Sequence, residues 1–229
     1  MAGKLNMNVF YTGLAVIAVA GTAAIWLASR GGGPPPMQML DEPLALGTSA
    51  FPGYVIGSDS APVEIVQYAD FTCAHCATFT VLHGPTIISR LVQTGLARLR
   101  FRGFALYQVS LLPLNAAACA GEQGKFWEMH EALMFNQNEW FADPEWPTSR
   151  NTIRTFRRYA RDAGVDVGSY DACVEEGRYY DRIIATREEI SASGLRSTPA
   201  FDVGPYRAVG MISYDSLRSL VEAAAEQRQ

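Results

Sequence analysis

The sequence predicts an α/β fold: a strand–helix–strand unit, then a helical insertion, then a β-hairpin and a closing helix. Three observations predict it. The apolar run Val63–Ala69 leads into Cys73-Ala74-His75-Cys76, where a helix begins. Helical periodicity then dominates roughly residues 105–196, and strand-like patterning returns at Ala200–Val203 and Tyr206–Val209.

Composition sets the outer limits. A chain of 229 residues with 48% apolar content can bury a substantial core, and its eleven Phe, ten Tyr and four Trp argue against disorder. The net charge is −4. Only Lys4 and Arg30 of the 19 basic residues fall in the first 36, which leaves 17 basic against 23 acidic side chains in the remainder. A mildly acidic domain lacks the clustered Lys and Arg that phosphate backbones require, so nucleic acid is excluded as a partner.

Residues 8–28 carry no charge, and roughly 20 apolar residues is the length a helix needs to cross the hydrocarbon layer. We expect a single N-terminal transmembrane anchor within residues 1–30. A cleaved signal peptide and a buried helix are the alternatives, although the small-residue cleavage candidates lie inside the run, not after it. A short tail before such an anchor and a large domain after it suit export of the domain to the periplasm or an equivalent space, where disulfides persist. Gly31-Gly32-Gly33-Pro34-Pro35-Pro36 is a linker by composition. The arm up to residue 54 reads as irregular, with a short edge strand at Tyr54–Ile56.

The folded domain is expected over 55–229. Its first strand is Val63–Ala69, followed by a helix over 76–94 that Gly84-Pro85 should interrupt or kink. Residues 97–102 alternate polar and apolar and read as a half-buried strand, parallel to the first through a crossover. Helices are expected over 115–123, 125–135, 152–163, 170–176 and 179–193, with Trp140, Pro144, Trp146 and Pro147 marking a loop between the second and third. Gly204-Pro205 separates the two hairpin strands, and Ser213 is a plausible N-cap for the last helix. The order β-α-β, helical insertion, β-β-α describes a thioredoxin-like fold with a helical subdomain inside it.

The chemistry lies in Cys73 and Cys76. A cysteine at a helix start meets unpaired backbone N–H groups and the positive end of the dipole, and both favour the thiolate. Two cysteines at i and i+3 can close a redox disulfide. A zinc site would need a second such pair, but Cys119 and Cys173 stand singly, so neither metal nor cofactor is expected. His75, between the cysteines, is placed to stabilise the neighbouring thiolate, or is simply a surface residue. Thr198-Pro199 opens the second group of strands; an X-Pro bond there is either an incidental trans bond or a deliberate cis one. Cys119 and Cys173 either bridge, closing a loop of about 55 residues, or remain as buried thiols. His83 and His130 read as structural.

Three segments, in order, resemble the DsbA-like family of exported thiol–disulfide oxidoreductases: residues 57–76, ending in Cys73-Ala74-His75-Cys76; 122–133, containing Phe126-Trp127-Glu128-Met129-His130; and 197–201, containing Thr198-Pro199. The resemblance implies Cys73 as exposed nucleophile and Cys76 as buried resolving thiol. Thr198 and a cis Pro199 would face the disulfide and meet an extended substrate, and Cys119–Cys173 would suit the extra disulfide of some anchored relatives. Two departures stand out. Gln67 occupies a position where many relatives hold a buried acid that relays a proton, and Ala74 replaces a frequent proline. The implied function is an oxidase that donates its Cys73–Cys76 disulfide to exported proteins with free cysteines, with a membrane redox partner to reoxidise it. A reductase or isomerase of the same fold, or a non-catalytic peptide-binding module, is the alternative.

Overall fold

The structure is a computed structural model that describes residues 19–22, 37–40, 51–147 and 149–227. The chain divides into two compact units, Met1–Pro34 and Pro35–Gln229. Of the first, only the helical residues 19–22 are described. The rest of the expected membrane span and the 31–36 linker lie outside the described residues. Among the described residues, no helix is long and apolar enough to cross a membrane.

The second unit is built on strands β1 (Met37–Met39), β2 (Tyr54–Ile56), β3 (Val63–Ala69), β4 (Ala97–Gly103), β5 (Ala200–Val203) and β6 (Tyr206–Val209). They form one sheet in the order β1-β6-β5-β3-β4-β2. β3 and β4 pair in parallel and the other neighbours pair antiparallel. The central β3 reads as a nearly continuous apolar run because both of its faces are covered; Ile65, Tyr68 and Ala69 are fully buried. On the neighbouring β4, Arg98 and Arg100 flank Glu64 and hold its carboxyl below the usual range despite partial burial.

The helices are α1 (Ala74–Ile87), α2 (Leu111–Gly121), α3 (Phe126–Phe135), α4 (Gln137–Phe141), α5 (Arg150–Asp162), α6 (Val167–Glu176), α7 (Tyr180–Ala192) and α8 (Tyr214–Glu226). Side chains cap three of them: Ser149 accepts from the Asn151 N–H, Asp166 from Ser169, and Ser213 from Ser216. α2–α7 form the insertion. Their core joins the sheet through Phe71, Phe101, Met129, Leu133, Trp140 and Phe156. The opposite core, with Ile65, Phe79, Phe201, Leu217 and Val221, lies under α1 and α8.

Four local expectations change; Trp140, expected to mark a loop, lies on the short helix α4. α1 passes through Pro85 without interruption, and a wider i→i+5 turn follows at Ile88–Val92, closed by Gln93 N–H on the Ile88 carbonyl. A proline costs the helix one donor, and packing of Phe79, Thr80 and Ile87 keeps the helix in place. The arm expected to be irregular contributes β1, which pairs Met37 with Ala208 on the sheet edge. α2 begins four residues before the expected 115, with Pro113 in its first turn, where no N–H is needed.

Candidate active site

The site is set by where β3 and β5 end. These strands pair antiparallel, with Tyr68 opposite Ala200, so the C-terminal end of β3 meets the N-terminal end of β5. Residues 70–73 turn off β3 into α1, and Thr198-Pro199 enters β5 at the same end. The Pro199 carbonyl is fixed by the Gly210 N–H at 2.8 Å. Further along, buried Asp202 binds Arg207 through two nitrogens at 2.7 and 2.6 Å and accepts from the Tyr68 hydroxyl at 2.8 Å.

A buried carboxylate fastens the turn. Asp70 accepts from the Thr72 N–H (2.8 Å), the Thr72 hydroxyl (2.9 Å), the Leu106 N–H (3.0 Å) and the Ser110 hydroxyl (2.6 Å). Two of these donors come from the loop between β4 and α2. Gln137 of α4 adds a third anchor, donating through Nε2 to the Phe71 carbonyl at 2.6 Å. The turn before Cys73 is therefore tied to the sheet, to the following loop and to the helical insertion at once.

Cys73 occupies the N-cap of α1 in extended conformation and is half-buried; Cys76, one turn on, is fully buried. Both are thiols here. Cys73 is held down at about 6, chiefly by the hydrogen bond from Cys76, then by the Thr198 side chain and the backbone N–H groups of Cys76 and His75. Partial burial opposes these and loses. Cys76 is pushed well up by burial first and by Cys73 second. The two sulfurs thus differ, Cys73 favouring the thiolate and Cys76 the thiol.

The peptide Thr198–Pro199 is cis, and the Thr198 carbonyl accepts from Cys73 Sγ at 3.5 Å. The Thr198 side chain favours the ionised form of both sulfurs. His75 is exposed, and it reaches Cys73 through its backbone N–H. Gln67 is buried on β3, and its Nε2 has no partner among the described residues. His130 is buried against Phe71, Phe101 and Trp127, and burial alone brings it down to about 3, so its ring is neutral at physiological pH. His83 packs edge-on against Phe79. Among the described residues, no three of His, Cys, Asp and Glu cluster as metal ligands.

Cys119 of α2 and Cys173 of α6 are joined in a disulfide, with Cα atoms 5.8 Å apart. Both are fully buried, away from Cys73 and Cys76 in sequence and packed in the core that includes the insertion. Asn115, one turn before Cys119, receives the Tyr179 N–H at 3.0 Å and steadies the same junction. Sequence reasoning missed the Asp70–Ser110–Gln137 clamp. Its one visible signal was an acid closing an apolar strand immediately before the cysteine motif; Ser110 and Gln137 join it only through the fold.

With this geometry in place, the comparisons with known proteins fall into line. A family model described as Thioredoxin matches residues 50–223. The Na(+)/H(+) antiporter NhaA 3 of Salinispora tropica is 30% identical over 175 residues, which cover 75% of this chain and 24% of that one. A Rickettsia felis protein provisionally named as a protein-disulfide oxidoreductase is 23% identical over 176 residues, covering 76% of this chain and 61% of that one. The chain therefore spans about a quarter to three fifths of the length of these relatives. The crystal structure of oxidised BdbD from Bacillus subtilis shares the fold, with a TM-score of 0.68 and 16% identity, covering 82% of this chain and 99% of that one. A model covering three quarters of the residues, over a sheet and cysteine turn of this form, places the assignment beyond the motif alone: the chain belongs to the thioredoxin family.

Proposed function

We propose that the protein is a thiol–disulfide oxidoreductase and that it acts as an oxidase through Cys73 and Cys76. The observation that carries this reading is the asymmetry of the pair: a half-exposed Cys73 held at about 6 beside a buried Cys76 pushed well up. A thiolate stabilised this strongly favours the reduced enzyme, and a pair with a stabilised reduced form is a stronger oxidant.

The reaction starts from the Cys73–Cys76 disulfide. A substrate thiolate attacks Cys73 Sγ, a substrate–Cys73 disulfide forms, and the Cys73–Cys76 bond breaks. The electron pair goes to Cys76, which takes up a proton. A second substrate thiolate then attacks the substrate sulfur of the mixed disulfide, releasing Cys73 as a thiolate. The substrate loses two electrons and the enzyme gains them. Thr198 and Pro199, beside Cys73, would align an extended substrate backbone, and Asp70, Ser110 and Gln137 would keep the turn from moving during exchange. Gln67 cannot relay a proton as an acid would, so the Cys76 proton would come from water or another group.

The proposed substrates are exported proteins with free cysteines, and a membrane redox partner would reoxidise the enzyme. Anchoring by an N-terminal helix, with the domain in the periplasm or an equivalent space, would raise its local concentration near that partner. Cys119–Cys173 would serve as a structural disulfide within a domain over 55–229.

Equilibration with glutathione tests the direction. A potential well above the thioredoxin value of about −270 mV supports the oxidase, and a value near it overturns that reading in favour of a reductase. Trapping with Cys76→Ser tests the clients: covalent adducts to exported proteins through Cys73 are expected, and an absence of adducts supports a non-catalytic peptide binder.

A further inference from the structure

A cavity of about 310 Å³ opens between α1 and α3, over the sheet. Ile65, Leu99, Phe79, Ile87, Trp127 and Phe201 make its walls apolar. Three buried polar residues also line it, Gln67 of β3, Thr80 of α1 and His130 of α3. They are 3%, 8% and 6% exposed, and each carries a buried polar atom, Nε2, Oγ1 and Nε2 respectively, with no hydrogen-bond partner among the described residues.

Buried polar atoms without partners are costly, and native proteins rarely keep several together. Three in one cavity point to an occupant. Water can meet the three polar atoms, but most of the wall is hydrocarbon and offers it no partners over the rest of the volume. The volume lies at the small end of the range for ligand pockets, about 300–1,000 Å³. His130 is neutral at physiological pH, so no buried charge is present to receive an ionic ligand. Glu131, exposed at the rim, disfavours an anion. Pro85, Ser89 and Phe135 line the cavity as well and are exposed, which leaves it an entry between the two helices.

We propose that this cavity binds a small uncharged molecule, with an apolar body about the size of a fused bicyclic ring and one hydrogen-bond acceptor received by Gln67 and Thr80. Thr80 lies one helical turn after Cys76, so the ligand would sit beside the helix that carries both redox cysteines. The site is separate from the exchange surface at Cys73, and occupancy does not require the redox reaction.

The probe is 1-indanone, a neutral bicyclic ketone, titrated into the full-length chain with labelled Ile and Leu methyl groups. Saturable shifts of the Ile65, Ile87 and Leu99 methyls are expected, with a dissociation constant below about 1 mM. Gly84→Leu should weaken binding by at least about tenfold, because the added side chain takes up cavity space. A Cβ at Gly84 meets only the Thr80 methyl, at 3.7 Å, and Leu is the better helix former, so this variant should fold. Gln67→Leu should weaken binding by about three- to tenfold through loss of one hydrogen bond. In the wild-type chain, shifts that never saturate, or methyl signals that stay in place, overturn the proposal whatever the variants do. Undiminished binding by folded Gly84→Leu overturns it as well.

Discussion

The two cysteine pairs have the same chemistry and opposite surroundings. Cys73 and Cys76 sit three residues apart at the start of α1, one half-buried and one fully buried, and both are thiols. Cys119 and Cys173 lie 54 residues apart on α2 and α6, both fully buried, and are bridged. In the first pair, the hydrogen bond between the two sulfurs and the deeper burial of Cys76 separate the two thiol affinities for a proton, while the Thr198 side chain favours ionisation of both. The second is fully buried in the core of the insertion, with the Glu122 carboxylate 3.8 Å from Cys173 Sγ. Access and local electrostatics, more than the cysteines themselves, divide the proposed redox pair from the bridged one.

The sharpest break of this comparison is Cys73→Ser. It should reduce catalysed oxidation of a reduced model protein to the uncatalysed background, as followed by refolding of a disulfide-containing enzyme. The paired Cys119→Ala and Cys173→Ala substitutions should do the reverse. They should keep exchange activity within a few-fold and lower stability by about 4 kcal/mol, the chain-entropy value for a loop of this length. Urea unfolding checks the second result. Activity that survives Cys73→Ser, or dies with the outer pair, would invert the assignment of the two pairs.

Much of this division was legible in the sequence. Val63–Ala69, the β5–β6 hairpin and the Ser213 cap stand where apolar patterning and turn chemistry put them. What stayed hidden depends on tertiary contact. β1 has three exposed residues, too few for its Met-Gln-Met alternation to signal a strand, and only its pairing with β6 makes it one. α1 continues through Pro85 because buried neighbours outweigh one lost donor. The clamp on the turn draws on Ser110, 40 positions from Asp70, and on Gln137, 66 positions from Phe71, so no local window could display it. The cysteine turn was visible, whereas the means of holding it still was not.

Asp70→Asn tests that support, because the insertion holds the cysteine turn as well as the outer disulfide. Asn keeps the shape but replaces one acceptor oxygen with a donor. One set of partners, Thr72 on one side or Leu106 and Ser110 on the other, then faces a donor with donors. The cost should be about 1–3 kcal/mol, smaller than loss of the disulfide, and is measurable by urea unfolding. Hydrogen exchange at Thr72 and Cys73 should speed up while that of α6 does not.

His75→Ala should have the smallest effect, and it separates side chain from backbone at the redox pair. The thiolate absorbance of reduced protein should titrate near pH 6, because Cys73 is lowered from 9.0 to about 6 by Cys76, Thr198 and two backbone N–H groups. A folded value below the unfolded one stabilises the reduced protein fully above the unfolded value, and that stability is lost as pH falls through about 6. Reduced protein should therefore gain stability relative to oxidised protein between about pH 6 and 9, the window set by the lowered Cys73. The alanine variant retains the N–H of residue 75, so its midpoint should move by less than about half a pH unit, under about 1 kcal/mol. An upward shift of more than a full unit would return the thiolate-stabilising role to the imidazole. It would also make the exposed residue between the cysteines, and not the helix start, the feature that distinguishes this pair from Cys119 and Cys173.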